Sequence, residues 1–302
     1  MPNSLVSLSN ELASLVEKYQ RDVVAVHARS HYPSSGVHWR QGVVVTADHT
    51  VRRDEDIQVT LPGGDTAKAT LAGRDAGTDI AVLKVEGLAA PIGASTEGET
   101  PKVGELALLL GRSPDSGPNA SFGIISALSG SWRTWRGGRL DQYIRLDAKL
   151  FPNSSGGAVI DVRGRLLGIA TSALARIAGL AIPASSVNRV VDALLAKGHV
   201  PRGYLGVSVQ PVAILDAVRT RLGVTGKSGV MVVGVEPGGP ADQAGVLMGD
   251  VLASVGAAAL EGIEDLQAFT DAETIGKPIA AKVIRAGELR DLTITAGERP
   301  GR

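Results

Sequence analysis

Ser155 lies in Pro152-Asn153-Ser154-Ser155-Gly156-Gly157-Ala158, between two strand-like runs. A serine hydroxyl attacks a carbonyl only when a nearby base takes its proton and fixed donors meet the oxyanion that forms. Glycines directly after it let the backbone pack closely. His49 follows the apolar run Val43-Val44-Val45-Thr46-Ala47. An imidazole there, titrating near neutrality, suits a general base. Asp79 follows Gly77-Thr78 and directly precedes Ile80-Ala81-Val82-Leu83-Lys84-Val85. A carboxylate in that place holds an imidazole in one tautomer and stabilises its protonated form. Each residue alone also fits a turn or a polar loop. Together, in the order His, Asp, Ser and each beside an apolar strand, they form a nucleophile, a base and an orienter. His27 reads as a strand residue, and His31, His38 and His199 as loop residues; no pair has metal-ligand spacing. With no cysteine, disulfides, thiolate zinc sites and a cysteine nucleophile are excluded. No metal or cofactor is predicted.

The elements that must hold these residues are short. DVVAVHA, GVVVTA, IQVTLP, AVLKV, LALLLG, FGIISAL, YIRLDA, GAVID and LLGIATSA are strand-like, with Gly, Pro, Asp and Asn between them. That pattern predicts an all-β sandwich or barrel. Residues 8–20 read as a helix capped by Ser9, with Leu12, Leu15, Val16 and Tyr19 as its apolar stripe. SSVNRVVDALLAKG reads as another, ending at Gly198. The predicted divisions are a helical segment at 1–22, a β-rich domain at 23–198, a linker at 199–203 and an α+β domain at 204–298. In the last, helices are expected near 213–221, 240–245 and 263–270.

Lys plus Arg and Asp plus Glu number 31 each, so the formal charge is zero. That gives no general attraction to nucleic acid or anionic membrane, and no nucleic-acid partner is expected. No run reaches the roughly 18 apolar residues of a membrane span. Charged residues interrupt the N-terminus, so no signal peptide is read. If Met1 is the natural start, the expectation is a cytoplasmic protein.

The chain resembles the HtrA (Deg) family of trypsin-like serine proteases over nearly its whole length. TADH, GRDAGTDIAVLKV, SFGIISAL, RLDA, NSSGGAVID, GRLLGIATS and GLAIPASSV follow in that family's order. RGYLGV and GVMVVGVEPGGPADQAGVLMGDVLASVG then resemble its PDZ domain. The resemblance implies a mainly β protein: a chymotrypsin-like double β-barrel followed by an α+β PDZ domain. It implies His49, Asp79 and Ser155 as catalytic triad, with the amides of Asn153 and Ser155 as oxyanion hole. It implies an aliphatic pocket lined by Leu150, Leu180 and Ile182, with Lys149 nearby. Tyr204, Leu205, Gly206 and Val207 become the PDZ loop that captures a peptide C-terminus. A homotrimer and an extracytoplasmic location are also implied.

The sequence departs from the family at the nucleophile, in the stretch before the histidine strand and in the insertion ahead of that stretch. The family carries Gly-Asn-Ser-Gly-Gly at the nucleophile, and Asn153 stands where its first glycine would be. A glycine there serves an unusual φ, and asparagine is among the best substitutes. The glycine-rich stretch before the histidine strand becomes Trp39-Arg40-Gln41-Gly42, and a short regulatory insertion is expected at about 30–38. Trp132-Arg133-Thr134-Trp135-Arg136-Gly137-Gly138-Arg139 reads as a surface loop, or as a partner contact through its Trp and Arg residues.

The function implied is ATP-independent endoproteolysis of unfolded or exposed polypeptides, in protein quality control. Nothing resembles a phosphate-binding P-loop. The alternative, prompted by Asn153, is a weakly active or inactive protease-fold scaffold that binds peptides.

Overall fold

The computed structural model describes residues 4–30, 32–88, 91, 100–175, 178–256 and 258–299; His31 lies outside them. The chain divides into two compact units, Met1–Val200 and Pro201–Arg302.

In the first unit, α1 spans Ser4–Tyr19. It starts before the expected cap at Ser9, because no glycine or proline interrupts the residues between Ser4 and Ser9. Leu12, Leu15 and Val16 lay their stripe on the core, as the spacing predicts. Six strands follow: β1 (Val23–His27), β2 (Ser34–Arg40), β3 (Val43–Ala47), β4 (Ile57–Thr60), β5 (Thr66–Asp75) and β6 (Ile80–Val85). They close into an antiparallel barrel in the order β1-β2-β3-β6-β5-β4.

Next come β7 (Leu106–Ser113), β8 (Gly117–Ser129), β9 (Trp132–Arg133), β10 (Arg139–Leu140), β11 (Tyr143–Asp147), β12 (Ala158–Asp161), β13 (Leu166–Thr171) and β14 (Gly179–Pro183). Here β11-β14-β13-β12-β7-β8 close a second barrel, and β9 and β10 pair as a separate hairpin. Helix α2 (Ala184–Lys197) ends at Gly198, whose φ is +75° and whose N–H returns to Leu194 O at 2.9 Å.

Side chains on one face of β1, β3 and β6 fill the first barrel, including Val24, Val26, Val44 and Leu83. Those on the other face, including Val23, Val43, Val45 and Val82, meet Leu108, Ile160, Ile169 and Val187 in a shared core. Both faces are covered, which is why these strands read as unbroken apolar runs. Each fully buried Val, Leu or Ile contributes roughly 1.5–3 kcal/mol.

Two expectations are corrected here. Residues 34–38 belong to β2, so no insertion occupies them. His38 is a buried strand residue, 7% exposed, and not a loop residue; its Nε2 has no partner among the described residues.

The second unit contains β15 (Gly203–Tyr204), β16 (Val207–Ala213), α3 (Asp216–Leu222), β17 (Ser228–Val235), α4 (Pro240–Gln243), β18 (Val251–Val255), β19 (Ala258–Ala259), α5 (Ile263–Gln267), β20 (Pro278–Arg285), β21 (Glu288–Thr295) and β22 (Gly297–Glu298). Its main sheet runs β16-β17-β18-β20-β21, with β19 beside β18. Leu205, Val230, Val232, Leu252 and Val283 fill its core. Among the described residues no helix is long and apolar enough to cross a membrane.

Candidate active site

β3 ends at Ala47 and the chain turns through one 3-10 turn, Asp48–Thr50, which carries His49. Thr50 Oγ1 ties the turn to Ala47 O at 2.7 Å. Arg74 of β5 donates to Asp48 Oδ1 at 2.5 Å and to Val51 O at 2.9 Å. Burial still leaves the Asp48 carboxyl above its ordinary value, with Arg74 opposing the shift.

Asp79 stands at the head of β6, fully buried, with φ +60°. A positive φ on aspartate costs about 1–3 kcal/mol and survives only where neighbours hold it. Here they do. Thr78 N and Oγ1 both donate to Asp75 Oδ2, at 3.1 and 2.7 Å. Asp48 N donates to Asp79 O at 3.1 Å. The Asp79 carboxylate accepts from His49 N at 2.8 Å and meets His49 Nδ1 at 2.8 and 3.0 Å. Thr171 Oγ1, from the second barrel, donates to Asp79 Oδ2. A carboxylate at Nδ1 favours the tautomer with the proton there, which leaves Nε2 as the base.

Ser155 sits in the turn before β12 and is 3% exposed. Both following glycines are required by close approach. A Cβ on Gly156 would stand 2.2 Å from Ser35 O, and one on Gly157 2.2 Å from Leu110 O. Ser155 Oγ lies 3.3 Å from Ser172 Oγ. No hydrogen bond joins it to His49 Nε2 among the described residues, so Ser155 and His49 are not paired in this structure.

Phe151–Ser154 form a turn closed by Ser154 N→Phe151 O at 2.9 Å. Asn153 is not among the residues of positive φ, which leaves the turn in the type I form and not the type II form. The N–H groups of Asn153 and Ser155 donate to no other described group. The first barrel grips this turn through its carbonyls. Arg29 Nη2 donates to Pro152 O at 3.1 Å, and Ser35 Oγ donates to Asn153 O at 2.7 Å. Ser35 N reaches Ser155 O at 3.2 Å. Thr171, Ser172, Arg29 and Ser35 were all missed by the sequence reading; only the Thr-Ser pair following an apolar strand offered a signal.

The expected pocket residues do not share a wall. Leu150 is half-buried and packs with Ala181 on the cluster inside the second barrel. Leu180 and Ile182, 2% and 0% exposed, belong to the core shared between the barrels. Successive strand residues face opposite sides, so Ala181, and not its two neighbours, lies on Leu150's side of β14. Leu180 and Ile182 are thereby corrected to packing residues.

The Trp132–Arg139 segment is ordered as the β9–β10 hairpin. Trp132 stacks edge-on against Tyr143 with centroids 5.1 Å apart. Trp135 is 72% exposed, with the Arg136 guanidinium 4.6 Å from its ring centre. Thr134 Oγ1 donates to Gly77 O at 2.7 Å, which ties the hairpin to the turn that presents Asp79.

In the second unit, Tyr204 pairs with Gly297, and Leu205 enters the core. Gly206 has φ +77°, and Val207 opens β16. Leu205 O and Gly206 O accept from Ala241 N and Glu236 N at 2.9 and 2.8 Å. The N–H groups of Leu205 and Gly206 have no acceptor among the described residues. β16 is an edge strand, and α5 packs against it. An open edge beside a loop of free amides suits strand addition by a peptide C-terminus.

Comparison with known proteins gives the same division. Residues 34–169 match the trypsin-like peptidase domain and residues 203–296 the PDZ domain. The putative serine protease HhoB of Synechocystis sp. is 31% identical over 268 residues, covering 86% of this chain and 64% of that protein. A probable periplasmic serine endoprotease DegP-like of Halomonas elongata is 31% identical over 264 residues, covering 86% and 55%. The chain thus spans less than two thirds of the length of these relatives. The serine endoprotease from Yersinia pestis matches with a TM-score of 0.75 and 28% identity, over 95% of this chain and 98% of that one. The HtrA-type protease AlgWS227A with decapeptide matches with a TM-score of 0.79 and 26% identity, over 95% and 97%. With a double barrel, a bonded His49–Asp79 pair and a PDZ domain in the second unit, the chain belongs to the HtrA family of trypsin-like serine proteases.

Proposed function

We propose that the protein is an ATP-independent serine endopeptidase that cleaves unfolded or exposed polypeptides, with a PDZ domain that binds peptide C-termini. The observation that carries this reading is the Asp79–His49 pair, bonded through both the ring and the backbone of His49 and closed from the second barrel by Thr171. Ser155 Oγ attacks the scissile carbonyl and passes its proton to His49 Nε2. The amides of Asn153 and Ser155 receive the oxyanion. His49 then gives the proton to the leaving amine, and water repeats the sequence on the acyl-enzyme. Asp79 holds the imidazole and stabilises its charged form.

For attack, Ser155 Oγ turns from Ser172 toward His49. The pocket would be walled by Leu150 and take an aliphatic side chain. AlgWS227A was solved with a decapeptide, which is consistent with peptide binding in this family. The same reading extends to a homotrimer, the assembly implied by the family. Incubation of the intact chain with an unfolded casein reporter tests it: fragments should form without ATP, and Ser155→Ala should form none.

A further inference from the structure

A peptide group is planar and trans, so its C=O and N–H point in opposite directions. Whatever holds the carbonyl of one residue therefore aims the N–H of the next. The first oxyanion amide, Asn153 N–H, shares its peptide with the carbonyl of Pro152. That carbonyl is bonded to Arg29 Nη2 at 3.1 Å. The guanidinium is itself fixed, with Nε on Tyr32 O and Nη2 also 3.4 Å from Pro33 O.

The peptide stands in the orientation of a type I turn, because Asn153 lacks a positive φ. The family's glycine at this position is suited to the other form, type II, in which the central peptide is turned over. A second observation also marks the site as resting: Ser155 Oγ is paired with Ser172 Oγ and not with His49. Turning the Pro152–Asn153 peptide over swings the Pro152 carbonyl away from Arg29 and breaks their bond.

We propose that Arg29 is a positioning residue that latches the Pro152–Asn153 peptide in its resting orientation, so that forming the oxyanion hole requires release of the Pro152 carbonyl. The inference rests on the endopeptidase reading above. A bond present at rest and absent in the working form favours rest by its own strength. Removing it speeds acylation. Ser35 holds the neighbouring Asn153 carbonyl at 2.7 Å and so confines the movement to one peptide.

The test is the rate at which an aliphatic peptidyl diphenyl phosphonate labels Ser155 in the intact chain. Ser155 Oγ bonds to phosphorus, phenoxide leaves, and the phosphoryl oxygen takes the oxyanion place. Arg29→Gln should label roughly five- to tenfold faster than wild type, the worth of one ordinary, solvent-exposed hydrogen bond. With a peptide substrate the gain should fall on kcat, with KM unchanged. Arg29→Lys keeps the charge but not the planar fork, and it should also label faster. In an Asn153→Gly background, where the turned form is already accessible, Arg29→Gln should add little. If Arg29→Gln does not fold, Arg29→Lys carries the test. Rates of the Arg29 variants equal to or below wild type overturn the latch while leaving the endopeptidase reading intact. Absence of label in every variant, Asn153→Gly included, overturns both.

Discussion

Thr171, the last residue of β13 in the second barrel, donates its hydroxyl to Oδ2 of Asp79, at the head of β6 in the first. The bond joins the carboxylate paired with His49 to the strand that leads into Ser172, and Ser172 touches Ser155. Two consecutive hydroxyls thus serve opposite ends of the proposed triad. Replacing Asp79 by Asn should cut kcat by about 10⁴, through the wrong imidazole tautomer. Thr171→Val removes one hydrogen bond to a buried charge, so kcat should fall by roughly tenfold or more with KM kept. Steady-state kinetics on an aliphatic peptide substrate read both.

Asn153 is the departure with the largest expected effect. A glycine there enters the positive-φ region without penalty. Asn153→Gly should therefore raise kcat/KM by roughly tenfold to a hundredfold, up to the lower end of what one oxyanion donor is worth. The same measurement on wild type and variant decides it; no gain would show that the turn already works as it stands.

His38 gives the first unit an acid-sensitive stability. Burial holds its imidazole below the usual 6.5, with Asp22 opposing. The folded protein therefore resists a proton that the unfolded chain accepts. Stability is full above about pH 6.5, the unfolded value, and declines as pH falls from there toward the lower folded value. Thermal unfolding followed from pH 7.5 to 5 should show Tm dropping, and His38→Gln should flatten part of that drop.

Gly206 sets the PDZ loop. Its φ of +77° strains any side chain, and a Cβ there would come 3.4 Å from Pro240 Cδ. Gly206→Val should weaken binding of a free-carboxylate peptide by tenfold or more, about 1.4 kcal/mol, measured by fluorescence anisotropy. Phosphonate labelling of Ser155 without added peptide should not change.

The proposed triad could be read from the sequence because each member abuts an apolar run whose strand character is local. The residues that set its working state were not. Thr171, Arg29 and Ser35 reach Asp79, Pro152 and Asn153 across the chain, and only barrel closure brings them together. His38 was misread because β2, Ser34–Arg40, carries Val37 as its lone aliphatic residue. Its small residues answer to packing: a Cβ on Gly36 would come 2.8 Å from both Val26 and Val44. Leu180 and Ile182 were misplaced by treating neighbouring strand residues as one wall, against the alternation of β14.

The central claim is that Ser155, activated by His49 and Asp79, is a nucleophile. The direct measurement is intact-mass and peptide analysis after treatment with the aliphatic peptidyl phosphonate. A single adduct on Ser155, lost in Ser155→Ala and strongly slowed in His49→Ala, is the predicted result. An adduct that persists in Ser155→Ala, or none in either wild type or Asn153→Gly, would contradict the account.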